Sequence, residues 1–191
     1  MAEPNQTDAF SKAAIGGLWE RLADPEAAPG GGSAAAVAAW MAAALVAKAA
    51  RRSTDSWPDA RGVAAQAGSL GARCSELAES DSLAFEAALQ ALENRADVHA
   101  RLAETVVVLL ALGEVAADVA ELAARTAEHC DGTFRADAVC AALLAEAGAC
   151  AAAVLIAGNL TVTSGDERLR RAQRLGEVAT EAVRRALEAG P

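Results

Sequence analysis

The sequence predicts an all-α protein, a compact bundle of five to six helices with a buried Ala-rich helix, and three observations carry that prediction. Of the 191 residues, 54 are alanine, the best helix former and a residue depleted in strands. The hydrophobic class makes up 53% of the chain while aromatics make up 3% and tyrosine is absent. That is enough apolar surface for a core of small side chains, and it excludes intrinsic disorder. Lastly, proline and glycine fall between long stretches of helical periodicity. The length fits one domain spanning residues 1–191, with no internal repeat and no linker long enough to divide it.

Each element follows in order. A first helix is expected from Asp8, a fair N-cap, with Phe10, Ala14, Leu18 and Leu22 on one stripe until Asp24-Pro25 stops it. Pro29, Gly30, Gly31 and Gly32 form a loop, and Ser33 opens a second, Ala-rich helix to about Arg52. Pro58 suits the first turn of a third helix towards Leu92, weakened by Gly62, Gly68 and Gly71 but clean from Cys74 onward. A fourth covers roughly Asp97 to Glu128. Its run Val106 to Leu110 could be read as a buried strand, but helix formers flank it and no partner strand exists. After a loop at Cys130 to Thr133, a long helix runs from about Phe134 to Thr161. Ser164 and Glu167 have capping-box spacing, and the last helix puts Leu169, Ala172, Leu175, Ala179, Ala182 and Ala186 on its inner face.

A net charge of -9, with no basic block, gives no electrostatic footprint for nucleic acid. Cys74, Cys130, Cys140 and Cys150 form no C-x-x-C pair, so free buried thiols in a reducing compartment are expected. With only His99 and His129 as imidazoles, no metal site is expected. The first ten residues lack the basic stretch and apolar core of a signal peptide. Two apolar runs resemble membrane spans, but Ser33 to Ala47 is short of the ~20 residues a bilayer requires and Ala138 to Leu160 carries Glu146. The expectation is therefore a cytoplasmic protein whose inner helices are apolar all round because neighbours surround them.

The stretch APGGGSAAAV is the most informative in the chain. Each glycine fixed in a helix costs about 1 kcal/mol relative to alanine, so something should offset three of them. They could permit a tight turn between packed helices. They could equally let a ligand approach the free N–H groups and positive dipole at a helix start. No lysine follows as in a P-loop, and no strand precedes as in a dinucleotide fingerprint.

The segment PGGGSAAAVAAWMAAAL resembles the opening signature of the formimidoyltetrahydrofolate cyclodeaminase and methenyltetrahydrofolate cyclohydrolase family. Asp81-Ser-Leu-Ala-Phe85 resembles that family's D-x-x-A-F segment. The stretch Asp131 to Asp137 resembles its G-N-x-x-x-x-S-D stretch, and AALLAEAG followed by Asn159-Leu160 its long helix ending in N-L. The resemblance spans nearly the whole chain. It implies a multihelical homodimer with folate sites near the subunit interface, a tetrahydrofolate derivative as substrate and no covalently bound cofactor. The implied reaction closes the methenyl bridge by attack of N10 on a formimino carbon with loss of ammonia, or opens that bridge with water. Either is C–N lyase or hydrolase chemistry in one-carbon metabolism, and either needs a proton moved at nitrogen, for which a carboxylate is suited.

Asp81 and Asp137 are the candidate catalytic carboxylates. Asp81 shares a helix face with Phe85, where desolvation would raise its pKa towards the acid/base range; it could instead be a solvated residue or a cap for a nearby helix. Asp137, in a first helical turn, either stabilises the helix dipole or holds pterin N–H groups. Gly30, Gly31, Gly32 and Ser33 are candidate substrate contacts, as is Asn159, which could instead bridge helices. Lys48, with Arg51 and Arg52, and Arg135 are candidates for holding an acidic substrate tail, or ordinary solvated charge.

Departures from the family pattern bear on activity. Asp131 and Ala136 stand where the family tends to have Asn and Ser, Leu155 stands for a first Asn, and ENRADVHARL has no proline-lysine loop. Two alternatives follow: a divergent enzyme acting on a non-folate substrate, or a catalytically silent dimeric binding module.

Overall fold

A computed structural model of the chain describes residues 16–25, 28–160 and 165–190. Among these residues it is all-α, 87% helical and without strands. Six helices follow one another: α1 (Gly16–Ala23), α2 (Gly31–Arg52), α3 (Ala60–Asn94), α4 (Val98–His129), α5 (Arg135–Asn159) and α6 (Glu167–Glu188). A single 3-10 turn, Gly132–Phe134, precedes α5. Val106 to Leu110 is helical, as flanking propensity demanded. Of the expected first helix, Asp8, Phe10 and Ala14 lie outside the described residues, and so does Ser164.

Several boundaries move for local reasons. The second helix begins at Gly31, so two of the three glycines are helical and only Gly30 is the N-cap. Pro58 precedes α3 instead of opening it: Ser53 to Ala60 is a pair of tight turns holding Trp57 6% exposed and stacked on His129 at 5.6 Å. Burying that ring delays the helix to Ala60. Glu167 is the first residue of α6, not the third, because the Asp166 side chain caps it by accepting from the Arg168 N–H at 2.8 Å. The α3–α4 connection is only Arg95 to Asp97, with Arg95 and Asp97 in the left-handed region at φ 53° and 55°. A turn that short leaves no place for an inserted lysine loop.

The core is made of small side chains. Ala36, Ala39, Ala42, Ala49 and Ala50 of α2 are inaccessible, as are Ala141, Ala142, Ala145, Ala149 and Ala152 of α5. These two helices run antiparallel: Lys48 pairs with Asp137, Gly148 meets Ala35 and Ala39, and Gly31 meets Leu155. Alanine and glycine at the crossing bring the backbones close, so that a Cβ on Gly148 would stand 3.1 Å from the Ala35 carbonyl oxygen. α4 packs against α2, α3, α5 and α6 and supplies the larger buried residues Val106, Leu109, Leu112 and Val119.

Helix α5 departs from the expectation of all-round burial. Leu143 is 44% exposed and Val154 72%, and exposed Cys140 and Ala147 complete one face at helical spacing. By length and composition two stretches are long and apolar enough to cross a membrane, Gly31–Arg52 and Gly132–Asn159. Burial in the bundle covers 56% of an 18-residue apolar window in the first but only 39% of one in the second, so more of the apolarity of α5 is left uncovered. The cysteines are free as expected, but Cys140 and Cys150 are exposed while Cys74 and Cys130 are buried. Burial pushes the Cys74 thiol up to about 11, which keeps it un-ionised and inert.

The close α2–α5 approach has a mutational consequence. Gly148→Leu should destabilise the protein by about 2–3 kcal/mol through overpacking, read as a lower urea midpoint with unchanged slope. An unchanged midpoint would show that the crossing is not tight.

Candidate active site

The head of α2 gathers most of the residues singled out in the sequence. Gly30 caps the helix without a side chain of its own, so no local group serves the first N–H groups. The missing group comes from another helix: Asp81 of α3 is 4% exposed and accepts from both the Ser33 hydroxyl, at 2.9 Å to Oδ2, and the Ser33 backbone N–H. Asp81 is thus the N-terminal cap of α2, supplied across a helix–helix interface. The Ser33 Oγ also lies 3.1 Å from the Ala78 carbonyl oxygen, one turn before Asp81.

Each glycine has a steric reason. A Cβ on Gly32 would stand 2.1 Å from Asp81 Oδ1, so the carboxyl occupies the space a side chain would take. At Gly30 and Gly31 it would meet the Phe85 ring at 3.1 Å and Leu155 at 3.3 Å. The tight-packing reading of the loop is therefore what the geometry displays, with α3 on one side and α5 on the other.

Burial raises the Asp81 carboxyl above its ordinary range, and the hydrogen bonds from the Ser33 side chain and backbone pull it part of the way back. No described cation pairs with it. Arg21, on α1, lines a cleft of about 360 Å³ together with Leu18, Pro29, Ser33, Val37, Ala78, Glu79, Ser82 and Leu83. Asp81, bonded to Ser33, is not itself part of the wall.

Asn159 is at the same end of α5, one turn beyond Leu155. Its Nδ2 donates to Thr105 Oγ1 at 2.8 Å, and that hydroxyl donates to the Leu102 carbonyl at 2.7 Å, so the amide bridges α5 to α4.

The remaining candidates sit elsewhere. Lys48 follows Ser33 by fifteen residues along α2, which at 1.5 Å per residue is about 22 Å. Its ammonium pairs with Asp137 at 2.7 Å, tying the end of α2 to the first turn of α5. Arg135 donates from Nε to the Ala127 carbonyl at 3.1 Å. Within one chain Asp137, Lys48 and Arg135 therefore form a cluster remote from Asp81, and the two carboxylates cannot act on one reacting atom. Asp131 is also at that far end, where it accepts the Thr133 N–H at 2.8 Å and its own N–H meets the Ser53 hydroxyl at 2.9 Å. Asp131 thus serves a local turn, a role an Asn side chain would fill equally well.

Sequence reasoning missed three features. Arg21 carried no signal beyond being a cation in the final turn of α1, and Thr105 none at all. A larger cleft of about 560 Å³, with Asp118, Arg125, His129 and Arg185 among its lining, opens between α3, α4 and α6. Two of its cations are paired, Arg125 with Asp59 at 2.6 Å and Arg185 with Glu121 at 3.0 Å, while desolvation and the neighbouring Glu121 raise the Asp118 carboxyl. Among the described residues no group of three or more His, Cys, Asp or Glu could hold a metal ion.

The fold and site define an all-α bundle whose glycine-opened helix is capped from the next helix by a buried carboxyl. A profile of the family described as Formiminotransferase-cyclodeaminase matches residues 14–179, and the chain belongs to that family. The crystal structure of formiminotetrahydrofolate cyclodeaminase from Thermotoga maritima shares the fold, with a TM-score of 0.83 at 20% identity over 94% of this chain and 96% of that one. A comparison with curated proteins found no match.

The raised Asp81 pKa has a thermodynamic sign. Between the ordinary carboxylate range near pH 4 and its folded value, the native state holds a proton that the unfolded state has released. Stability contributed by this group therefore falls as pH rises through that window. Asp81→Asn, which cannot ionise, should gain stability relative to the parent from pH 4 upward in urea melts at successive pH values. A difference independent of pH would contradict the assignment.

Proposed function

We propose that this protein is a folate one-carbon enzyme, closing or opening the methenyl bridge of tetrahydrofolate, with the Asp81 carboxyl as the source and sink of the proton. The observation that carries the reading is a buried carboxyl, raised by desolvation and unpaired with any described cation, beside a cleft at the start of α2. Family membership supplies the folate chemistry, and the relative from Thermotoga maritima is named for formiminotetrahydrofolate cyclodeaminase. The apolar cleft walls of Leu18, Val37, Ala78 and Leu83 suit a flat ring, and Arg21 suits an acidic tail. On this reading Arg21 is the cation proposed to hold the tail, since Lys48 and Arg135 stand at the other end of α2 within one chain.

The geometry also favours a second reading in one respect. Asp81 already serves as a helix cap, as it would in a catalytically silent binding module. Turnover separates the two. The parent protein should accelerate the absorbance change of methenyltetrahydrofolate formation or hydrolysis, and Arg21→Ala should raise KM about 10-fold, the loss of roughly 1.4 kcal/mol of charge-assisted binding. Arg73→Ala, an exposed i,i+3 pair with Glu76, serves as the control. Binding without turnover would favour the module, and no binding would remove the folate reading.

The reading includes a homodimer, supported by the uncovered face of α5 that carries Leu143, Ala147 and Val154. Light scattering should find twice the chain mass for the parent and the monomer mass for Val154→Glu. A monomeric parent would refute the dimer.

A further inference from the structure

Asp81 and Ser33 divide the work of a proton-transfer site in an unexpected way. Ser33 and Ala78 line the cleft at the head of α2 and Asp81 does not, although Ser33 and Asp81 are equally buried, at 3% and 4% exposed. Of this bonded pair only Ser33 contributes to the cleft wall, so a substrate there reaches Asp81 by way of Ser33. We infer that Ser33 is the catalytic residue that touches the substrate and that Asp81 acts through it, as a buried proton reservoir; this rests on the folate reading above.

The hydrogen-bond inventory of the hydroxyl supports the relay. Ser33 Oγ has one proton and two lone pairs. It stands 2.9 Å from Asp81 Oδ2 and 3.1 Å from the Ala78 carbonyl oxygen. When Asp81 is neutral its O–H donates to Ser33 Oγ, and the Ser33 proton rests on Ala78 or faces the cleft. When Asp81 is ionised, the Ser33 hydroxyl donates to it. Both states are satisfied by rotating one hydroxyl, with no heavy atom moving. Gly32 holds the two groups together, since any Cβ there would displace the carboxyl. The charged side chains facing this pair from the cleft are Arg21 of α1 and Glu79 of α3. α5 contributes the uncharged Leu155, which packs on Gly31, and the charged groups of α2 lie at its far end.

The step balances in atoms and charge. As the C–N bond to the departing nitrogen breaks, its electron pair stays on that nitrogen, which takes the Ser33 proton while Asp81 passes its own proton to Ser33 Oγ. The attacking nitrogen, now bonded to the one-carbon centre, returns its proton through the same hydroxyl to the Asp81 carboxylate. The pair ends as it began.

The test compares the parent, Ser33→Ala, Ser33→Cys, Asp81→Asn and the Ser33→Ala/Asp81→Asn double variant in the methenyltetrahydrofolate absorbance assay across pH. Carbon-13 NMR of labelled Asp81 gives its titration in the parent and in Ser33→Ala, and thermal melts confirm folding. Ser33→Ala should lower kcat about 100-fold, the usual worth of a positioned acid or base, with KM within about 3-fold. The double variant should be no worse than either single one, because the two groups act as a unit. Ser33→Cys, whose thiol also carries a proton, should restore part of the rate. In the parent the Asp81 carboxyl should titrate with the pH profile of kcat. If Ser33→Ala keeps the parent's kcat and profile while Asp81→Asn loses both, Asp81 touches the substrate itself and the relay is overturned with the folate reading intact. No turnover by the folded parent removes both.

Discussion

A carboxyl group packed where a side chain would otherwise stand is the constraint from which the rest of the site follows. Asp81 lies against the bare Cα of Gly32 and takes the N–H and hydroxyl of Ser33. It can do so only because Gly30 and Gly32 keep the first turn of α2 free of side chains on that side. The same contact desolvates the acid and opposes its ionisation, while the helix start offers it two donors. The entropy cost of the glycines is set against an interhelical cap, so stability and potential chemistry draw on the same atoms.

The second constraint is the thinness of the layer between α2 and α5. With alanine and glycine at the crossing, little side-chain volume separates the two backbones, and their antiparallel course places the start of each beside the end of the other. Leu155 thereby closes over Gly31 at one end while Lys48 meets Asp137 at the other. A helix of 22 residues is a rigid spacer of about 33 Å, so groups at its two ends stay apart. The two candidate carboxylates are thus separated, Asp81 as a buried acid at one end and Asp137 in a half-exposed ion pair with Lys48 at the other.

Much of the fold was legible because helix periodicity is local. The long helices, the halt at Asp24-Pro25 and the helical reading of Val106 to Leu110 all depend on neighbours within a few positions. One boundary slipped where a distant partner intervened, as Trp57 stacks on His129 and delays α3, and another where two local caps competed and Asp166 took the start of α6. The site was half legible. Gly30, Gly31, Gly32, Ser33 and Asp81 do converge, but nothing in their spacing showed that Ser33 would bond Asp81, that Asn159 would bridge to Thr105, or that Arg21 would line the cleft.

Composition and periodicity by themselves determined an Ala-rich helical bundle, because both propensity and burial pattern are summed over short windows of chain. The resemblance of its glycine segment and downstream motifs identified the family. Tertiary structure alone decided which acid is buried, which face of α5 remains uncovered and which cation reaches the cleft. Those outcomes depend on helix rotation and direction over tens of residues, where a shift of one position turns a side chain by 100° and changes both its neighbours and its access to water.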